Sequence, residues 1–161
     1  MFYEVVKDFQ SGIVGILGFI GVIITLWWNA HVAVVARNEQ LHDAQVTLQS
    51  ALHQELVSIR QELVNIRTFA SDKSLQSLQF TLEQPYVFHT LVKDIGILQA
   101  KKAQTVIRAY RDLYLTMNTV RGLAKDQDKA VATLEAKKFP DAIQSIAYIQ
   151  DELNEAITAL E

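Results

Sequence analysis

"GIVGILGFIGVIITLWW", residues 12–28, carries no charge, ends in two tryptophans and sets a glycine at every third position through its first half. No charged residue stands between Asp8 and Arg37. As a helix at ~1.5 Å per residue, Gly12 to Trp28 would span about 26 Å. With Ser11 in front and "NAHVAVVA" behind, the run is long enough to cross a hydrocarbon core of ~30 Å. Trp27 and Trp28 suit the interface, where an indole ring meets lipid while its N–H meets water, and Arg37 opens the polar flank. A cleaved signal peptide would want a basic start and an apolar run of roughly 7 to 15 residues. Here "MFYEVVKDFQ" sets Glu4 and Asp8 against Lys7, and the run is longer. The chain is therefore read as a short tail over 1–10, a transmembrane helix over 11–36, and a helical stalk and bundle domain over 37–161.

Gly12, Gly15, Gly18 and Gly21 advance about −60° round a helix per step, which gives a slanting groove rather than a stripe. Ser11 and Gly15 also have the small-xxx-small spacing. Small side chains let backbones approach in lipid, where no hydrophobic drive brings helices together. This pattern predicts a contact with a second copy of the chain or with a membrane-protein partner.

The 161 residues allow one modest domain besides such an anchor. Beyond residue 37 the formal charge is still −3, because Lys7 and Arg37 offset Glu4 and Asp8. Nucleic-acid binding needs a basic face that displaces counterions from phosphate, so this balance argues against it. The chain has no cysteine, which removes disulfides, thiolate metal sites and cysteine nucleophiles. Two prolines in a chain rich in Leu, Ala, Gln and Glu point to an all-α protein.

No helix breaker separates Trp28 from Ala70. Leu48, Leu52, Leu56, Ile59, Leu63, Ile66 and Ala70 recur at steps of four and three, marking one buried stripe with a short heptad seam. The transmembrane helix is thus expected to continue as a stalk ending near "ASDKS". In "SLQSLQFTLEQP", Leu78, Phe80 and Leu82 alternate as in a strand, but no partner strand is visible, so the segment reads as extended chain. Pro85 opens "YVFHTLVKDIG", a short helix whose stop is placed at Gly96 in a left-handed position.

Ala103, Val106, Ile107, Tyr110, Leu113, Tyr114, Met117, Val120 and Ala124 form one broad apolar face. Val131 and Leu134 extend the pattern, which carries this helix to about Lys137 with Gly122 as a weak point. The last helix enters through Pro140, has Asp141 in its first turn and buries Ile143, Ile146, Ile149, Leu153, Ile157 and Leu160. Ser145 falls on its exposed side. Long amphipathic helices with one apolar face each must bury those faces together, which predicts an antiparallel bundle. If the stalk and the helix from Gln99 run antiparallel, the turn at Lys137–Phe139 returns to the membrane surface. Lys125, Lys129, Lys137 and Lys138 would then stand near lipid headgroups. Asp126, Asp128, Glu135 and Asp141 are interleaved with them, and a solvated face is the plainer reading.

His31, His42 and His53 lie at intervals of 11 residues on nearly one helix face, with steps of ~16.5 Å that are too long for a shared metal ion. Glu39-x-x-His42 has the spacing of half a di-iron site, but no second Glu-x-x-His exists in the chain. No phosphate-binding loop, nucleophile elbow or zinc-protease pattern occurs. Lys101, Lys102, Arg108 and Arg111 make a modest basic face, and Asp151, Glu152 and Glu155 an acidic cluster. The sequence indicates no cofactor and no small-molecule substrate. It describes a non-enzymatic structural or interaction subunit, single-pass in the lipid bilayer, assembling through its transmembrane helix and its bundle. The alternative is a membrane-tethered sensing or signalling module that repacks with ligand or pH, for which the histidine row is the cue. The short acidic tail should cross the bilayer easily, which places the bundle on the cytoplasmic side. In outline the first 70 residues resemble bacterial division and lysis proteins that set a coiled coil beyond one N-terminal anchor, a likeness of architecture that carries no motif.

Overall fold

The computed structural model describes the backbone of residues 2–72, 74–81, 85–125 and 131–161, with side chains described from residue 19 onward. In chain order the elements are α1 (Phe2–Ala70), β1 (Ser77–Thr81), α2 (Tyr86–Leu91), α3 (Ala100–Leu123), β2 (Val131–Glu135) and α4 (Phe139–Leu160). Short 3-10 helices at Val92–Ile97 and Ala136–Lys138 follow α2 and precede α4. The chain divides into two compact units, Met1–Asp43 and Ala44–Glu161.

In the first unit the described residues are helical throughout, and every one from Phe19 to Asp43 is exposed. The helix is already formed at Phe2, so residues 2–10 of the tail are helical.

The second unit is built on the leucine stripe. Leu48, Leu52, Leu56, Leu63, Ile66 and Ala70 are buried, and Ile59 is half-buried against the same core. Each fully buried Leu or Ile contributes roughly 1.5–3 kcal/mol. Exposed ion pairs contribute about 0–1 kcal/mol each, so the apolar faces hold the unit together. On α4, Phe139, Ala142, Ile146, Ile149, Leu153, Ala156, Ile157 and Leu160 are buried, close to the face read from the sequence.

Cross-helix bonds give the directions. Arg67 Nη1 donates to Gln150 Oε1 at 2.6 Å and Arg60 Nη1 to Asn154 Oδ1 at 3.0 Å, so α4 runs antiparallel to α1. Arg108 on α3 meets Glu152 at 2.8 Å and Glu155 at 2.6 Å, whereas Thr119 lies beside Ser145, so α3 is antiparallel to α4 as well. It follows that α3 runs in the same sense as α1 within this unit, not antiparallel to it. Two antiparallel neighbours of α4 replace the antiparallel pair expected from the sequence.

A second correction concerns residues 131–135, which the apolar spacing assigns to a continuation of α3. The helix ends at Leu123, beyond the weak point at Gly122, and "VATLE" forms β2. It pairs antiparallel with β1 in the register Leu78↔Leu134 and Phe80↔Ala132. Phe80, Ala132 and Leu134 are buried on the common inner face. The alternation at Leu78 and Phe80 therefore marks a strand, and its partner lies far along the chain. The fold is mostly helical, but it is not purely α. Bonds from Ala136 N to Gln76 O (2.9 Å) and from Lys125 N to Thr133 O (3.0 Å) bind the ribbon to its flanks.

Two local expectations also change. Gly96 does not sit in a left-handed stop position: it lies inside the 3-10 helix, and no described residue has positive φ. The tightened turn leads directly into extended backbone at Leu98, so a left-handed residue is not needed. The buried face of α3 is also rotated from the expected one. Ala109, Asp112 and Thr116 are buried, while Ile107 and Tyr114 are 44% and 52% exposed. The reason is that α3 packs on α4 as well as on the rest of the core, and α4 covers a flank that a one-sided pattern leaves out.

Candidate functional site

The apolar segment is the strongest feature of the first unit. Among the described residues one helix is long and apolar enough to cross a membrane, and its most apolar stretch has no buried residue. Phe19, Leu26, Trp27 and Trp28 are each exposed by 60% or more, and Val22, Ile23 and Ile24 by about half. These side chains point in all directions round the helix, so no single neighbouring face covers them. Trp27 stacks on His31, with ring centroids 5.9 Å apart and an interplanar angle of 15°. Thr25 Oγ1 donates to Gly21 O at 2.9 Å, which satisfies its hydroxyl within the helix. A Cβ added at Gly21 would meet no atom within 4 Å, leaving its backbone open to close approach. The side-chain surroundings of Ser11, Gly12, Gly15 and Gly18 lie outside the described residues. Arg37 is exposed.

Of the four lysines read as headgroup contacts, Lys125, Lys137 and Lys138 are among the described residues. Lys129 lies outside the described residues. Within Ala44–Glu161, Lys125, Lys137 and Lys138 stand beside the β-ribbon, at the Ala70 end of the unit. Because α3 runs with α1, the turn into α4 does not return toward the Ala44 end. Glu135 Oε2 is 2.8 Å from Lys137 Nζ, and the same carboxylate pairs with Lys125 through its other oxygen. Lys125, with Lys137 beside it, holds the Glu135 carboxyl down at about 2. Lys138 lies 3.9 Å from Asp141.

The histidines are not brought together. His31 and His42 are exposed, and His53 is half-buried with Nε2 3.8 Å from Glu161 Oε1. Glu39 and His42 are exposed on α1, and among the described residues no group of three or more His, Cys, Asp or Glu side chains is arranged to hold a metal ion. The basic and acidic faces partly answer each other, since Arg108 of α3 pairs with Glu152 and Glu155 of α4.

One polar cluster has no counterpart in the sequence pattern. Glu55, on the stripe-bearing part of α1, accepts from the backbone N–H of Val87 at 2.7 Å and of Phe88 at 3.0 Å. Its Oε2 also accepts from the Tyr110 hydroxyl at 2.7 Å. The carboxylate thus supplies the cap that Pro85 cannot give α2, since proline has no side-chain acceptor for the free N–H groups of the first turn. Burial, reinforced by the Glu55 carboxylate, pushes the Tyr110 phenol upward and keeps it neutral. The Phe88 and Tyr110 rings stack with centroids 4.0 Å apart. A single glutamate therefore joins α1, α2 and α3. Its helix position beside the leucines is legible in the sequence, but its partners come from distant parts of the chain.

Comparison with protein-family models, with curated proteins and with solved structures finds no match to this chain.

Proposed function

We propose that the chain is a single-pass membrane-anchored helical-bundle protein, acting as a structural or interaction subunit rather than as an enzyme. The observation that carries this reading is the exposed segment from Phe19 to Val35, apolar on every side and without a covering partner among the described residues. Exposed apolar patches on soluble monomers are usually a few hundred Å², and a helix apolar all round belongs in a core or in lipid. The bundle of Ala44–Glu161, by contrast, buries its own stripe. Close helix–helix approach at Ser11, Gly12, Gly15, Gly18 and Gly21 is the proposed route of assembly, with a second copy or a membrane partner. Trp27, Trp28 and Arg37 are the proposed interface residues, and the proposed side for the bundle is the cytoplasm.

Membrane fractions washed at alkaline pH test the anchor: the full chain stays with the lipid, and its release into the supernatant would overturn the reading. The cysteine-free background allows a clean test of sidedness. Ser145 is half-buried, so the exposed Asp151 is the better place for a single cysteine. In intact cells, Asp151→Cys reacts with a membrane-impermeant maleimide only after lysis if the bundle is cytoplasmic. Labelling before lysis would reverse the orientation while leaving the anchor intact.

A further inference from the structure

Within the Ala44–Glu161 unit, the outward side of α1 carries a second regular pattern. Thr47, Gln54, Gln61 and Thr68 recur every seven residues, and Ser50, Val57 and Val64 lie three places after the first three of them. At about 100° per residue these positions fall on the side of the helix opposite the Leu48–Ala70 stripe. Six of the seven are exposed and Val57 is half-buried, so no described element covers this side. Alternate steps of three and four are the spacing of a coiled-coil seam.

Charge sets this seam apart from the rest of the surface. From Thr47 to Thr68 it holds no charged residue, whereas the exposed faces of α3 and α4 carry Lys101, Arg108 and Arg111, and Asp141, Asp151 and Glu155. Ala51, Ser58 and Asn65 border it on one side and are uncharged as well. On the other side Arg60 and Arg67 are turned to Asn154 and Gln150 of α4. A face that meets only water gains solubility from charge of both signs. A face that meets an identical face must be free of it.

We propose that this face is a contact with a second copy of the chain, the two α1 helices lying side by side in parallel. The direction rests on the membrane anchor proposed above, since copies inserted the same way present α1 in the same sense. In a parallel pair in register each seam residue meets its own copy, and a charge there would face its like. A carboxamide has both donor and acceptor, so Gln54 and Gln61 can each bond to the same residue of the other copy. Val57 and Val64 supply apolar contact beside those layers. The same chemistry disfavours other occupants. A charged partner finds no counter-charge on the seam, and a wholly apolar partner would leave the two amides without hydrogen bonds. Polar seam residues fix register and partner at some loss of affinity. The pairing is therefore weak in free solution and draws on the anchors, which hold the copies at high effective concentration.

The chain has no cysteine, so single cysteines read the seam by disulfide cross-linking of the full chain in membranes of the expressing cell. Under mild oxidation Gln61→Cys and Thr68→Cys should each give a dimer of twice the chain's mass. Phe69→Cys, exposed beside Thr68 but off the seam, should stay monomeric. Gln61→Glu in the Thr68→Cys chain sets like charges opposite each other and should lower the dimer yield about tenfold. Gln61→Lys should do the same, and co-expression of the two should restore the dimer. The proposal is overturned by silence at both seam positions, by equal cross-linking at Phe69→Cys, by charge variants that pair as well as the parent, or by failure of co-expression to restore pairing. Alkaline extraction of the same membranes reads the anchor separately: a chain retained without a dimer removes this contact alone, and a chain released removes the anchor.

Discussion

Residues 19–43 and 44–70 are parts of one helix, yet they solve opposite problems. In the later part, leucines and isoleucines recur every third or fourth position, and polar residues such as Gln54, Arg60 and Gln61 fill the rest. That part is stable because a bundle covers its one apolar stripe. In the earlier part, apolar side chains run round the whole circumference as far as Val35, and every described residue is exposed. A stripe asks for a neighbouring face, whereas a full apolar circumference asks for an apolar solvent. The period of the pattern, more than the number of apolar residues in it, distinguishes the two.

The sharpest way to break this comparison is to make the same kind of truncation in each part. Leu56→Ala, at a fully buried position, should cost the bundle about 2–5 kcal/mol in urea unfolding of the full chain followed by circular dichroism. Ile23→Ala should stay within about 0.5 kcal/mol in the same transition. Equal losses would mean that the earlier segment is also covered by protein.

Next in size is a charge placed on the exposed side. Ile24→Arg should disfavour insertion by roughly 2.5–3.5 kcal/mol and shift the chain toward the soluble fraction on alkaline extraction. The same substitution should leave bundle unfolding unaltered. Retention in the membrane fraction unchanged from the parent would remove the argument for a lipid-facing segment.

Glu55→Ala should cost the bundle about 1–3 kcal/mol, because it leaves the Val87 and Phe88 N–H groups and the Tyr110 hydroxyl without their acceptor. Glu55→Gln keeps one acceptor oxygen and should lose less. A neutral result in urea unfolding would mean that water replaces the carboxylate at no cost.

The smallest effect concerns pH at the ribbon. The Glu135 carboxyl is held at about 2, below its ordinary value, so its pairing with Lys125 and Lys137 stabilises the fold above the ordinary carboxylate range. That contribution fades as pH falls through the usual range toward 2. Amide shifts of β2 should therefore move between pH 5 and pH 2 in the parent and stay flatter in Glu135→Gln. Identical titrations would show that the carboxylate does not hold the lysines in solution.

What is legible in the sequence follows the same logic. The stripes of α1 and α4 can be read because each presents one face over several turns, from Leu48 to Ala70 and from Ile146 to Leu160. The face of α3 is misread because Asp112 and Thr116 are polar and buried, while Ile107 and Tyr114 are apolar and exposed. A hydropathy pattern assigns both pairs to the wrong side. Strand β2 reads as helix because Val131 and Leu134 are three apart, and the small Ala132 does not register as the inward partner of Phe80. Its identity depends on β1, which no local window contains. The Glu55 cap is hidden for the same reason: its partners converge only after the helices pack.

The pairing of α1 with α4 also has a consequence for synthesis. Arg60 and Arg67 find Asn154 and Gln150 on α4, which is made well after them. During translation the Leu48–Ala70 stripe therefore emerges well before its cover, and it must wait through the ribbon, α2 and α3. Premature termination after α3 would release a chain whose stripe lacks the cover of α4, a substrate for chaperones or proteases rather than a smaller working version of the protein.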